Sequence, residues 1–138
     1  MSLYPELQIL IIDDEEEILI ALAQLLRLDG YKVQTANSPI VALEMIKGSK
    51  YHIILSDIVM PEMNGLELLT RIKEFDPLAQ VIMMTGYSTM EITMRSLEKG
   101  ASDYILKPFK DFKDVSKIVK INEEKLNRWW ESMRGNFK

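Results

Sequence analysis

The stretch HIILSDIVMPEMNG, residues 52–65, contains an apolar run and the acidic residue that follows it. Its first five residues form an apolar run, which is typical of a strand covered on both faces. Asp57 follows directly, and Pro61 and Gly65 then mark a turn before the next amphipathic segment. A carboxylate at the end of a buried strand indicates a functional site at that edge of a sheet.

The rest of the chain repeats this alternation of apolar runs and amphipathic stretches. The runs predict five strands, at residues 7–12, 31–36, 52–56, 79–85 and 103–106. Helical spacing and capping residues predict five helices, at residues 16–28, 39–46, 65–72, 89–99 and 112–133. The N-caps are expected at Ser38, at Asn64, and at Ser88 or Thr89. This order predicts an α/β fold, with a doubly wound five-stranded parallel sheet between helices on both faces.

The first and last predicted helices carry long apolar faces. The face of the first is formed by Ile18, Leu19, Leu22, Leu25, Leu26 and Leu28. The last helix runs beyond the body of the domain and contains Trp129 and Trp130, which we expect to need burial. An extension of this kind favours a dimer interface or a helix that leads into a further domain.

Composition limits the class of protein and the kind of metal site. The chain has 138 residues and 47% hydrophobic content, as expected for one globular domain. It has no cysteine and a single histidine, His52, so any metal must be held by oxygen ligands. No apolar run is long enough for a membrane helix, and the first residues do not resemble a signal peptide. We therefore expect a cytoplasmic protein without a membrane partner.

Charge is distributed unevenly along the chain. Residues 1–109 carry 9 Lys+Arg against 16 Asp+Glu, a balance of −7, whereas residues 110–138 carry 8 against 5, a balance of +3. The basic end is interpreted as a solvated helix surface rather than as a site of direct nucleic-acid binding.

Polar residues end or directly follow four of the five predicted strands. They are Asp13 and Asp14, Asp57, Thr85, and Lys107. Because the carboxyl ends of parallel strands meet at one edge, three carboxylates, a hydroxyl and an ammonium are expected to converge there. Close carboxylates repel one another, and a hard divalent cation relieves that repulsion. The set therefore predicts a Mg²⁺ site, in which Mn²⁺ can substitute.

Four motifs resemble those of the receiver domains of two-component response regulators. They are IIDDE (11–15), LSDIVMPEMNG (55–65), MTGY (84–87) and YILKPF (104–109). The resemblance implies a CheY-like, flavodoxin-like three-layer sandwich with strand order 2-1-3-4-5. The match covers roughly residues 7–121, the expected receiver. Residues 1–6 are expected to be a leader, and helical spacing predicts that residues 122–138 form an extended helix or a linker toward an output domain.

The resemblance also implies the roles of the acidic residues. Asp57 is the phosphoacceptor, which forms an acyl phosphate with a phosphoryl group from a histidine kinase. Asp14 and Asp57 ligate Mg²⁺ directly, Asp13 acts mainly through water, and the backbone carbonyl of Val59 supplies another ligand. Activity is limited to the phosphorylation and dephosphorylation of the chain itself, so the protein is not classed as an enzyme.

Further roles fall on residues around the phosphoacceptor. Lys107 pairs with a phosphoryl oxygen, and the Lys107–Pro108 peptide is expected to be cis. Thr85 and Tyr104 form the switch that reports phosphorylation to the surface. The residues expected to flank the phosphoryl group are Val59, Met60, Gly86 and Tyr87. An apolar Val59 and an aromatic Tyr87 are predicted to hinder water and prolong the phosphorylated state.

The expected partners are a sensor histidine kinase or a phosphotransfer protein. A homodimer is expected through the face of the fourth helix, fifth strand and fifth helix, or through the extended last helix. Three alternatives remain from the residues alone. They are a phosphatase or phosphotransferase with an aspartyl nucleophile, a flavodoxin-like cofactor binder, and a receiver that only binds partners. Val59 stands where such phosphatases need a second aspartate, and no glycine-rich phosphate loop follows the first strand.

Overall fold

Five strands alternate with five helices in a computed structural model, which describes residues 7–86 and 90–135, with side chains through Met133. The strands are β1 (Gln8–Ile12), β2 (Lys32–Ala36), β3 (Ile53–Asp57), β4 (Gln80–Thr85) and β5 (Asp103–Leu106). The helices are α1 (Glu16–Leu28), α2 (Pro39–Gly48), α3 (Gly65–Phe75), α4 (Met90–Glu98) and α5 (Lys113–Gly135).

The strands form one parallel sheet in the order β2-β1-β3-β4-β5. Strands β3 and β4, at the centre, are buried along their whole length, as the continuous apolar runs predicted. The predicted doubly wound fold and its strand order are confirmed. The described residues contain no helix whose length and apolar character would let it cross a membrane.

Two apolar clusters, one on each face of the sheet, form the core. One joins α1 and α5 to the sheet and includes Leu22, Leu26, Val115 and Val119. The other joins α2 and α3 to the opposite face and includes Ala42, Ile46, Leu68, Leu69 and Ile72. This double burial holds the strand ends in fixed positions, so the side chains that follow them converge at one edge.

Local hydrogen bonds define two of the helix starts. The Ser38 hydroxyl accepts from the backbone N–H of Val41 at 3.1 Å, ahead of a proline in the first turn of α2. Asn64 Oδ1 accepts from the backbone N–H of Glu67 at 2.9 Å and begins α3. The predicted cap of α4, at Ser88 or Thr89, lies outside the described residues.

The structure corrects the predicted apolar face of α1. Leu28 is 87% exposed, whereas Leu19, Leu22 and Leu26 are buried. Leu28 is the last residue of the helix, and its angular position turns it away from the sheet just before Asp29 caps the end. Leu28 is therefore an apolar residue near the end of a helix that does not belong to the core.

Helix α5 stays attached to the domain well past its first turns. Asn122 and Leu126 are buried, and the Tyr31 hydroxyl donates to Glu123 Oε1 at 2.9 Å. Burial and the neighbouring Glu123 carboxylate raise the pKa of Tyr31, so the phenol stays protonated as a donor. Trp129 and Trp130, for which we expected burial, are 40% and 37% exposed.

His52 joins three strands at the edge of the sheet opposite Asp57. Its Nδ1 accepts from the backbone N–H of Gln8 at 3.0 Å, and its backbone bonds to Gln8 and Gln80. Burial lowers the pKa of the imidazole from 6.5, the charge of Lys50 lowers it further, and Asp76 partly offsets both effects. The neutral ring is therefore the form that the fold favours.

This burial predicts a loss of stability in mild acid. Because the folded pKa lies below 6.5, the unfolded chain takes up the proton first, and the free energy of unfolding falls as pH drops through this window. His52→Asn keeps an acceptor but removes the titration, so its stability should fall less between about pH 7 and about pH 5. Denaturant unfolding at several pH values measures the difference. A pKa at or above 6.5 in an NMR titration of this sole histidine would contradict the prediction.

Candidate functional site

Four strand ends bring the candidate site residues to one edge of the sheet. Asp13 follows β1, Asp57 ends β3, Thr85 ends β4, and Lys107 follows β5. Residues that are up to 94 positions apart in the sequence are thereby in contact, as the Asp13–Lys107 pair shows. The site is thus a product of the parallel topology.

Asp13 is fully buried, and both of its carboxylate oxygens have a partner. Oδ1 accepts from the backbone N–H of Glu15 at 2.9 Å, and Oδ2 accepts from Lys107 Nζ at 2.5 Å. The first bond fixes the turn that leads into α1. The second holds the lysine ammonium over the site.

Lys107 connects two carboxylates. Its Nζ lies 2.5 Å from Asp13 Oδ2 and 3.3 Å from Asp57 Oδ2. Burial alone lowers the pKa of this ammonium, but the hydrogen bond and charge of Asp13 and the charge of Asp57 outweigh burial and raise it. Lys107 is therefore a fixed positive charge beside the Asp57 carboxylate.

The environment of Asp57 is less favourable for a negative charge than water is. Burial raises the pKa of its carboxyl, the ammonium of Lys107 lowers it, and the carboxylate of Asp13 raises it again. The backbone N–H of Val59 also bonds to the carboxylate and lowers the pKa. The net effect is a raised pKa, because one lysine and one N–H do not replace the lost water.

Three carboxylates form a group that fits a hard divalent cation. Asp13, Asp14 and Asp57 each offer one oxygen, and these oxygens lie within 4.8 Å of one another. Asp13 and Asp57 are buried while Asp14 is exposed, so the group opens to solvent on one side. Mg²⁺ needs oxygen ligands and retains water, and this half-open set of carboxylates meets both needs.

Gly65 closes the loop that follows Asp57. Its backbone N–H donates to the carbonyl of Ile58 at 2.6 Å. A Cβ at this position would lie 2.4 Å from the Asp57 carbonyl oxygen and 2.6 Å from Ile58 Cα. Only glycine lets the start of α3 approach β3 this closely.

The comparisons with known proteins agree on one family. Residues 9–120 match the family described as "Response regulator receiver domain". The chain belongs to this family. The receiver is 40% identical over 103 residues to the transcriptional regulatory protein ZraR of Klebsiella oxytoca, an alignment that covers 75% of this chain and 23% of the relative.

The receiver is also similar to solved structures of receiver domains. A CheY-like response regulator receiver domain protein from Methanospirillum hungatei JF-1 has a TM-score of 0.83 and 34% identity, with 87% of this chain and 95% of that chain covered. The beryllofluoride-activated NtrC4 receiver domain, a dimer in solution, has a TM-score of 0.81 and 30% identity, with 86% and 97% covered. The receiver spans about a quarter of the length of the first curated relatives it matches.

The remaining predicted site residues of the receiver lie around Asp57 or on the neighbouring surface. Thr85 and Met60 are buried, and Gly86 lies beside Lys107. Val59 and Tyr104 are 53% and 39% exposed. The Lys107–Pro108 peptide is cis. Tyr87 lies outside the described residues.

Two contacts that organise the receiver site are not predicted by the sequence. Gly65 is predicted only as a turn residue, but it also lies against the Asp57 carbonyl. Lys107 is predicted to pair with the phosphoryl group alone, although its ammonium lies closer to Asp13 than to Asp57. Neither contact has a local sequence signal, because both depend on how distant segments meet.

Proposed function

We propose that Asp57 is the phosphoacceptor of this receiver domain. The observation that carries the proposal is the position of its carboxylate, which is buried within a group of three carboxylates and beside the ammonium of Lys107. The negative charge of an incoming phosphoryl group is matched there by the lysine. The buried strand β3 holds the attacking oxygen in place.

The proposed reaction is transfer from a phosphohistidine. An oxygen of the Asp57 carboxylate attacks phosphorus, the P–N bond to the donor imidazole breaks, and its electron pair returns to the ring nitrogen. The products are an acyl phosphate on Asp57 and a neutral histidine once that nitrogen takes a proton from solvent. Lys107 Nζ is placed to stabilise the charge on the equatorial phosphoryl oxygens.

The proposal includes a divalent cation held by Asp13, Asp14 and Asp57, with the backbone carbonyl of Val59 as a further ligand. Mg²⁺, or Mn²⁺ in its place, would offset the charge of the carboxylates and of the phosphoryl oxygens. The protein itself contributes to the transfer by holding the attacking oxygen of Asp57 next to the ammonium of Lys107.

Thr85 and Tyr104 are proposed to report phosphorylation to the surface. Thr85 ends β4 one residue after Met84, the register partner of Asp57, so it lies at the same edge of the sheet as Asp57. Tyr104 on β5 is register partner to Met83 of β4 and is exposed in this structure. Movement of the threonine hydroxyl toward the phosphoryl group would leave room for the tyrosine ring to turn inward.

The partners are proposed in the same way. A sensor histidine kinase or phosphotransfer protein donates the phosphoryl group in the cytoplasm. The receiver pairs through α4, β5 and α5, where Met94, Leu97 and Leu106 are exposed, or through the extended α5. Catalysis is limited to the phosphorylation and dephosphorylation of Asp57.

Intact mass spectrometry tests the phosphoacceptor. The protein is incubated with Mg²⁺ and a small phosphoryl donor such as acetyl phosphate, and again with the metal chelated. We expect a gain of one phosphoryl group that requires the metal. A gain of equal size without any divalent cation would overturn the metal proposal. No gain from either acetyl phosphate or a phosphorylated histidine kinase would overturn the function.

The lifetime of the phosphorylated state is expected to depend on Val59 and Tyr87. Val59 is half-exposed beside Asp57, where an apolar side chain hinders an in-line water. Exchanging Val59 for Asn and Tyr87 for Glu should shorten the lifetime by roughly tenfold, which equals about 1.4 kcal/mol of barrier. Release of phosphate is timed after removal of the donor, and Ile20→Asn, on an exposed position of α1, is the control. Equal lifetimes in all variants would show that these two side chains do not restrict water.

A further inference from the structure

Ser56, the residue directly before Asp57, is a polar side chain in an apolar part of the core. It is fully buried, and its register partners on the neighbouring strands are Ile12 and Met83. Both partners belong to the apolar cluster under α2 and α3, so the Ser56 side chain points to that face of the sheet. A hydroxyl in such surroundings lowers stability unless it forms a hydrogen bond. The acceptor of that bond therefore shows what the hydroxyl does.

The Ser56 hydroxyl donates to the backbone carbonyl of Asp57 at 3.1 Å. Gly65 lies against the same carbonyl oxygen, which an added Cβ would overlap. The N–H of the same peptide belongs to Ile58 and donates to the carbonyl of Met84 at 3.1 Å. The peptide that joins Asp57 to Ile58 is thus held by a hydroxyl and a close glycine on its carbonyl side and by β4 on its N–H side.

This peptide directs the backbone that faces the Asp57 carboxylate. The Ile58 carbonyl accepts from the N–H of Gly65 at 2.6 Å, and the next N–H, that of Val59, bonds to the Asp57 carboxylate. Because each peptide unit is planar and rigid, a rotation of the unit between Asp57 and Ile58 also moves the N–H of Val59. The carbonyl of Val59, a metal ligand in the proposed function, moves with it.

We propose that Ser56 is a positioning residue for the phosphorylation of Asp57. Its hydroxyl holds the Asp57 carbonyl, and this keeps the Val59 N–H on the carboxylate and the attacking oxygen in one orientation. A small displacement of an attacking group can slow a reaction strongly, so the loss of one hydroxyl slows the transfer in a domain that remains folded. The effect on rate rests on the proposed role of Asp57, whereas the effect on the Val59 N–H does not.

Rates of phosphorylation by acetyl phosphate with Mg²⁺ test the role of the hydroxyl. Ser56→Ala should be phosphorylated about fivefold more slowly than the unmodified protein, and Ser56→Thr, which keeps a hydroxyl, should recover about half of the rate or more. Ser96→Ala is the matched control and should keep the unmodified rate. Ser96 is also buried and donates to a backbone carbonyl, that of Ile92 at 2.9 Å, but it lies on α4.

Solvent exchange of the Val59 amide hydrogen, measured by NMR without metal or phosphoryl donor, separates positioning from stability. In Ser56→Ala this amide should exchange about fivefold faster than in the unmodified protein, while the buried amide of Leu10 on β1 keeps its rate. A loss of global stability would accelerate the exchange of both amides. Urea unfolding of each variant measures that stability directly.

Three results would overturn the role of Ser56 in phosphorylation. They are an unmodified rate in Ser56→Ala, an equally slow Ser96→Ala, and a Ser56→Thr of unchanged stability that is as slow as Ser56→Ala. Unchanged exchange at Val59 in Ser56→Ala would also overturn it. If Ser56→Ala does not fold, Ser56→Cys takes its place, because a thiol has a similar shape but is a weak donor, and the same losses are expected. If the unmodified protein itself takes up no phosphoryl group, the role of Asp57 fails, and the exchange at Val59 alone decides that of Ser56.

Discussion

Asp57→Asn is expected to lose the phosphoryl gain completely and, in the absence of Mg²⁺, to unfold at a higher temperature than the unmodified protein. The amide is not a nucleophile toward phosphorus, so no acyl phosphate can form. The same substitution removes a buried negative charge that lies close to Asp13. Lys107 then pairs with the carboxylate of Asp13 alone, so one positive charge faces one negative charge instead of two.

The opposite directions of the two effects make this prediction specific. A variant that failed to fold would lose phosphorylation and stability together. Intact mass after treatment with acetyl phosphate gives the first quantity, and thermal unfolding in a chelator gives the second, with a rise in Tm of a few degrees expected. Asp14→Asn is the comparison, because Asp14 is exposed and its charge contributes less to the buried repulsion. Phosphorylation of Asp57→Asn at the unmodified level would contradict the assignment.

Gly65→Ala is expected to destabilise the fold by about 3 kcal/mol or more, because its methyl group would overlap the backbone rather than a movable side chain. The nearest atoms are the Asp57 carbonyl oxygen at 2.4 Å and Ile58 Cα at 2.6 Å. Relief requires α3 to move away from β3, which also moves the loop that carries Val59. The rate of Asp57 phosphorylation should therefore fall even where the protein remains folded.

Gly48→Ala is the matched control for Gly65→Ala. Both glycines lie at an end of a helix, but an added Cβ at Gly48 meets no atom within 4 Å. Gly48→Ala should therefore leave stability unchanged or raise it by up to about 1 kcal/mol. Urea unfolding and the initial rate of phosphorylation measure both variants. Equal stability of the two variants would mean that α3 adjusts without affecting the site.

The sequence was sufficient to predict the elements and the edge where the site lies. Apolar runs such as residues 52–56 and helix starts such as Ser38-Pro39 are local signals, and the structure has a strand or a helix at each. The convergence of Asp13, Asp57 and Lys107 followed from the parallel order alone. Periodicity was less reliable at the end of α1, where Leu28 is exposed because the last residue of the helix is turned away from the sheet.

The contacts of Gly65 and Lys107 that the sequence did not predict depend on distances between segments. The separation of Gly65 and the Asp57 carbonyl is set by how deeply α3 packs on β3, and a sequence pattern carries no such distance. Likewise, the distances from Lys107 Nζ to the carboxylates of Asp13 and Asp57 differ by less than 1 Å, so the sequence does not indicate which carboxylate lies closer.

Because α5 is packed against the domain, the direction in which its carboxyl-terminal end points is fixed relative to the sheet. The helix has 23 residues and is therefore about 34 Å long, and buried contacts reach Leu126. Each further residue turns the helix by about 100° and advances it by about 1.5 Å. A protein module fused in helical register to its end would thus be aimed by the receiver. Removal of one residue would turn that module by more than a right angle, whereas removal of seven would return it nearly to its first orientation.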